Sequence, residues 1–172
     1  MDRIKERSNY VKKISQMVNG VDQAQLDALT DALVAAKRIF VAGFGRAGNN
    51  IHILSMNCSQ IGLATHIIGD NSTPSMHEGD LFVIGSGSGN TKTMVLYAKQ
   101  AKEHGVKLAS IIGNTDSDLG RLSDLCVVIP PYKAEAGEQM DDRVTLSAFY
   151  PAMQAICDIL RGYCMEKLGV GI

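Results

Sequence analysis

Tryptophan is absent from this chain, and aromatic residues of every kind make up only 5% of it. That scarcity argues against a base-stacking surface for single-stranded nucleic acid. Charge of one sign is missing as well: 17 basic residues stand against 18 acidic ones, for a formal net charge of −1. A basic stripe for a phosphodiester backbone is therefore excluded. No apolar run approaches the roughly 20 residues that cross a bilayer. The opening Met1-Asp2-Arg3-Ile4-Lys5-Glu6-Arg7 is too charged for a secretory signal. The expectation is a cytoplasmic protein with neither a nucleic-acid nor a membrane partner.

Cysteine is sparse and unpatterned. Cys58, Cys126, Cys157 and Cys164 show no metal-ligand spacing, so no metal is expected. A reducing compartment disfavours structural disulfides. Cys157 and Cys164 share a helix face but stand about 10 Å apart by helical rise. All four read as small buried hydrophobes.

What the chain does have is length and apolar content for one core: 172 residues, 45% of them hydrophobic, in a single domain over 1–172. A helical leader occupies 1–37. Its first helix carries Ile4, Val11, Ile14 and Val18, and its second, capped by Asp22, carries Leu26, Leu29, Leu33 and Val34. This leader shows an apolar stripe with no strand of its own to cover, which suggests a subunit interface and a homo-oligomer. Short apolar runs then alternate with helical stretches. Strands are expected at 38–42, 64–68, 80–84, 107–112 and 125–129. Helices are expected at about 47–61, from the end of the 86–91 loop to about His104, near 118–122, and over about 142–168. Pro151 must kink the last or mark its start. Continuous apolar strands alternating with helices imply an α/β fold with a five-stranded parallel sheet covered on both faces.

Two glycine loops follow strands, at the edge where α/β proteins bind ligands. Gly43-Phe44-Gly45-Arg46-Ala47-Gly48 matches the dinucleotide fingerprint G-x-G-x-x-G, with Asp70 at the end of the next strand as a candidate ribose acid. The same glycines also suit a tight turn and close packing. Ser86-Gly87-Ser88-Gly89-Asn90-Thr91 opens a helix, where converging amides and the helix dipole favour an anion. Ser86, Ser88 and Thr91 add hydroxyl donors. Lys92 follows Thr91 and no G-x-x-x-x-G-K-[ST] motif is present, so the loop suits a terminal phosphomonoester better than a nucleoside triphosphate.

With these segments in view, the chain resembles the sugar isomerase (SIS) domain family over nearly its whole length. Carrying the resemblance are Gly43-Phe44-Gly45-Arg46-Ala47-Gly48, Ile68-Gly69-Asp70-Asn71-Ser72-Thr73-Pro74-Ser75, Gly79-Asp80-Leu81 and Ser86-Gly87-Ser88-Gly89-Asn90-Thr91-Lys92. The Thr-Pro segment followed by Gly-Asp is similar to the 6-phospho-3-hexuloisomerase branch. The resemblance implies a flavodoxin-like three-layer sandwich, usually a tetramer, that interconverts 3-hexulose 6-phosphate and fructose 6-phosphate without cofactor or metal. It implies that Ser86, Ser88 and Thr91 hold the phosphate together with the amides of Gly87, Gly89 and Asn90. Gly45, Arg46 and Ala47 would contact the sugar. The chain departs from the family where Ala47 stands in place of a serine, where the glutamate presumed to move the proton aligns with Tyr150, and where a common histidine falls near Gln60.

Moving a carbonyl between neighbouring carbons passes through an enediol and needs a base, usually a carboxylate, beside a group that polarises the carbonyl. Glu135, Glu138, Asp141 and Asp142 lie close to the expected place, and Glu138 and Asp141 flank Gln139-Met140, an echo of the family's Gln-Pro-Met. His52, one turn into the helix after the first loop, is the histidine that could face the site from this subunit or a neighbour. His66 reads as a core residue, and His77 and His104 as exposed. Tyr150 is a hydrogen-bond donor and, near pH 7, a poor base. Three functions follow: a phosphosugar isomerase acting on a hexulose phosphate, a non-catalytic phosphosugar sensor, and, from the first loop alone, a nicotinamide-dependent oxidoreductase.

Overall fold

The computed structural model describes residues 3–134 and 142–171, the side chains of 142–147 excepted. The elements in chain order are α1 (Arg3–Asn19), α2 (Gln23–Ala35), β1 (Ile39–Gly43), α3 (Gly45–Gln60), β2 (Thr65–Ile67) and β3 (Leu81–Ser86). They continue with α4 (Lys92–Glu103), β4 (Lys107–Ile112), α5 (Asp118–Leu122), β5 (Leu125–Val128) and α6 (Asp142–Leu168). All strands pair in parallel in the order β2-β1-β3-β4-β5, the flavodoxin-like order.

The nearly continuous apolar strands have the expected cause. Ile39, Val41, Leu81, Val83, Ala109, Ile111 and Val127 point into one core with α2, α3 and α6. Phe40, Ala42, Phe82, Ile84, Leu108 and Ile112 point into the other, against α4 and α5. Successive residues face opposite sides of a strand, so a sheet buried on both faces has no solvent position to fill with a polar residue.

The leader packs on the rest of the chain along part of its stripe. Its stripe finds its partner inside the chain: Met17, Leu26, Leu29 and Leu33 are buried in the core that contains α6. Two glutamines of the leader also take up backbone donors at the edge of the sheet. Gln25 Oε1 accepts from the Val128 amide at 2.8 Å, and Gln16 Oε1 accepts from the Lys133 amide at 3.0 Å. The exposed large apolar residues of α1 are Ile4 and Val11. Pro151 lies inside α6 rather than opening it.

The cysteines are free; Cys58, Cys157 and Cys164 are buried as expected, and Cys126 is only partly buried. Burial drives the Cys58 thiol up to about 12, with Cys164 nearby adding to the effect, and burial drives Cys164 up to about 11. At the start of β3, burial raises the Asp80 pKa, but hydrogen bonds from Arg38 and from the His77 amide outweigh it and hold the carboxyl below its ordinary value.

Candidate functional site

β1 and β3 are neighbours, and their chain connections run to opposite sides of the sheet order, which makes the gap between their carboxyl ends the switch point. Both glycine loops leave from it. In the first, a Cβ on Gly48 would lie 2.6 Å from the Gly43 carbonyl oxygen, and a Cβ on Gly43 would lie 3.0 Å from the Gly85 oxygen. Gly45 turns the chain at φ +56. The glycines of the G-x-G-x-x-G motif thus serve a turn and a close strand–helix approach, which accounts for the match without a dinucleotide. Asp70 sits exposed in the turn after β2, away from the cavity lining.

The second loop is a fixed hydroxyl cradle. Ser86 is the last residue of β3, paired with Ile112 and 3% exposed, so the ladder itself sets its side chain. Its Oγ lies 3.1 Å from Thr91 Oγ1 and accepts from the Gly89 amide at 3.2 Å. Ser88 Oγ accepts from the Asn90 amide at 3.2 Å. Neighbouring elements brace the loop from behind. The Gly113 amide donates to the Gly87 oxygen at 3.1 Å, and the Leu119 amide donates to the Gly89 oxygen at 2.9 Å. Asn90 Oδ1 accepts from the Asp118 amide at 2.9 Å. Gly89 has φ +67, and a Cβ there would lie 2.2 Å from Ser117 Oγ.

The helix ends separate by location. Away from the site, α2 is capped by Asp22, which accepts from the Ala24 amide at 2.8 Å, and α5 by Ser117, which accepts from the Gly120 amide at 3.1 Å. At the site, α3 starts after Phe44 and α4 after Thr91, and neither has a side-chain cap or an acid in its first turn. Their first amides lack intrahelical acceptors, and their dipoles present partial positive charge. Two uncapped helix starts and three hydroxyls therefore meet at one place.

That place is a cavity of about 390 Å³. One wall is Ser86, Gly87, Ser88 and Thr91, with Ala47 and Phe44 from the first loop. The opposite wall is mostly apolar: Met17 of α1, Ile129 and Pro131 after β5, and Phe149 and Tyr150 of α6. Of the residues expected to bind substrate, Ala47, Ser86, Gly87, Ser88 and Thr91 line it. Gly45 supplies the turn, Gly89 packs on Ser117, and Asn90 ties the loop to α5. Arg46 is turned to an adjoining hollow, where its guanidinium lies 4.1 Å over the Tyr150 ring.

Of the expected catalytic residues, His52 is half-buried on α3 and lines neither cavity of this subunit. Glu138 and Asp141 lie outside the described residues. Among the described residues the cavity wall holds no carboxylate and no histidine, and no group of three or more His, Cys, Asp and Glu side chains could hold a metal. No described helix is long and apolar enough to cross a membrane. Gly113, Ile129 and Pro131 were reachable from sequence, since they follow strands at the ligand-binding edge. Nothing in the local sequence of Met17 or Phe149 marks them as cavity residues.

Comparison with known proteins agrees with this geometry. The SIS domain family model matches residues 32–153. A 3-hexulose-6-phosphate isomerase from Bacillus subtilis is 33% identical over 153 residues, 87% of this chain and 82% of that protein. A 3-hexulose-6-phosphate isomerase from Mycobacterium gastri is 37% identical over 130 residues, 75% of this chain. The matched segment spans 65% of the mycobacterial protein, just under two thirds. Among solved structures, a Methanococcus jannaschii protein for which the function of 3-hexulose-6-phosphate isomerase was inferred has a TM-score of 0.80. It is 23% identical, and the match covers 99% of this chain and 93% of that one, a likeness of fold.

Proposed function

Because this chain belongs to the SIS domain family, we propose that it is a phosphosugar isomerase that interconverts 3-hexulose 6-phosphate and fructose 6-phosphate. The observation that carries this reading is the meeting of Ser86, Ser88 and Thr91 with two uncapped helix starts on one cavity. The phosphate would sit against the three hydroxyls and the first amides of α4. Charge-assisted hydrogen bonds of this kind contribute about 1.5–3 kcal/mol each. The sugar would extend past Ala47 and Phe44 toward Tyr150. Proton transfer between the two carbons requires a base, for which Glu138 and Asp141 are the candidates, with His52 a candidate from a neighbouring subunit. The reaction is redox-neutral within the sugar and calls for no cofactor. A homotetramer belongs to the same proposal, and light scattering on the purified chain tests it.

The decisive experiment supplies 3-hexulose 6-phosphate in deuterated water and follows fructose 6-phosphate and the label on its carbon. Turnover with deuterium incorporation is expected; neither turnover nor exchange would sink the isomerase. A phosphosugar sensor is the second reading, favoured by Tyr150 standing in the cavity wall where the family resemblance places a glutamate. Under that reading, fructose 6-phosphate raises the melting temperature and exchanges no proton.

A further inference from the structure

Tyr150 borders two cavities at once. On one side is the cradle cavity of about 390 Å³, and on the other a more open hollow of about 310 Å³. The second hollow is polar, lined by Tyr10, Arg46, Asn49, Asn50 and Gln154 with Pro151. The Tyr150 ring is held from two directions. The Arg46 guanidinium lies 4.1 Å over it, and the Phe149 ring meets it edge-on at 5.5 Å and 88°. A ring packed in this way has few rotamers open to it, so the partition is stiff.

We propose that Tyr150, pinned by Arg46, is a specificity-determining wall that stops the ligand of the cradle cavity short of the polar hollow. This rests on the phosphosugar reading of the cradle. Wild-type protein takes a single-sugar phosphate, and the hollow behind the wall has the amides of Asn49, Asn50 and Gln154 to hold the hydroxyls of a second sugar unit once the ring is removed. The ligand class admitted by opening the wall is therefore a glycosyl-extended sugar phosphate.

Calorimetric titration of fructose 6-phosphate and trehalose 6-phosphate into the wild type, Tyr150→Phe, Tyr150→Ala and Arg46→Ala tests this. The wild type is expected to favour the single sugar by at least about tenfold, and Tyr150→Phe, which keeps the ring, to preserve that ratio. Tyr150→Ala is expected to shrink the ratio by about tenfold, with Arg46→Ala in between. Arg46 is exposed, so its variant keeps the test alive should Tyr150→Ala fail to fold. An unchanged ratio in Arg46→Ala and in any folded Tyr150→Ala overturns the wall, as does equal binding of both ligands by the wild type. Loss of binding in Ser86→Ala alone reports on the cradle. If neither phosphate binds any variant, the cradle reading falls and the wall falls with it.

Discussion

In the loop after β1, Gly43 and Gly48 close on each other so that strand and helix touch at the backbone. In the loop after β3, Ser86, Ser88 and Thr91 line the cavity together with Gly87, and Gly113 and Ser117 brace the loop from behind. The two loops leave adjacent strands at one edge of the sheet, and both look in sequence like phosphate binders. The glycines of the first make a packing joint, and the second is the proposed binding surface. A glycine motif records that backbone comes close to something; it does not record whether that something is a ligand or the protein itself.

The largest expected effect tests the packing joint. Alanine in a helix normally gains up to about 1 kcal/mol over glycine. At Gly48 the added Cβ would lie 2.6 Å from a backbone oxygen, so Gly48→Ala should instead lose about 2–3 kcal/mol in urea unfolding. A neutral or stabilising result would break the contrast between the loops. Next comes Ser86→Ala, expected to weaken fructose 6-phosphate binding by tenfold or more, as loss of a charge-assisted bond of about 1.5–3 kcal/mol implies. The urea midpoint should move far less than in Gly48→Ala. Equal losses of stability in the two variants would erase the distinction.

Asn90 sharpens the comparison from inside the second loop. Its side chain accepts from the Asp118 amide and does not line the cavity. Asn90→Ala should therefore lose about 1 kcal/mol of stability, as for a lost helix cap, and leave the affinity for fructose 6-phosphate near wild type. An affinity loss as large as that of Ser86→Ala would make Asn90 a ligand-binding residue. The smallest effect concerns the two ends of β3. The folded-state pKa of Asp80 is lowered, so its contribution is present above the unfolded value of about 3.9 and fades as pH falls through the folded one. Below about pH 4, Asp80→Asn should lose less stability with falling pH than the wild type, while Ser86→Ala runs parallel to it. Parallel curves for all three would remove Asp80 from the acid response.

Much of the fold was legible because it depends on short-range patterns. Strands buried on both faces must be apolar throughout, so five apolar runs between helical stretches already implied the parallel sheet. Ser86–Thr91 was legible as a candidate site because three hydroxyls exceed what a helix start needs, and Ser86, Ser88 and Thr91 do line the cavity. The cover of the leader was not legible, since a stripe of Leu26, Leu29 and Leu33 says that something covers it but not that α6 of the same chain does. The opposite wall of the cavity was not legible either. Met17 and Phe149 are ordinary apolar helix residues until the chain brings them together across 131 intervening positions.

By itself the sequence determined the alternation of strands and helices, the sheet buried on both faces, and the hydroxyl cradle at the end of a strand. Each is set by residues close together in the chain, through side-chain periodicity and turn chemistry. Tertiary structure alone decided that Gly43 and Gly48 close a backbone joint, that α1 reaches the cavity wall through Met17, and that Arg46 stacks on Tyr150 between two hollows. Those outcomes depend on distances between elements far apart in sequence, and only the packing of the two cores against the sheet fixes such distances.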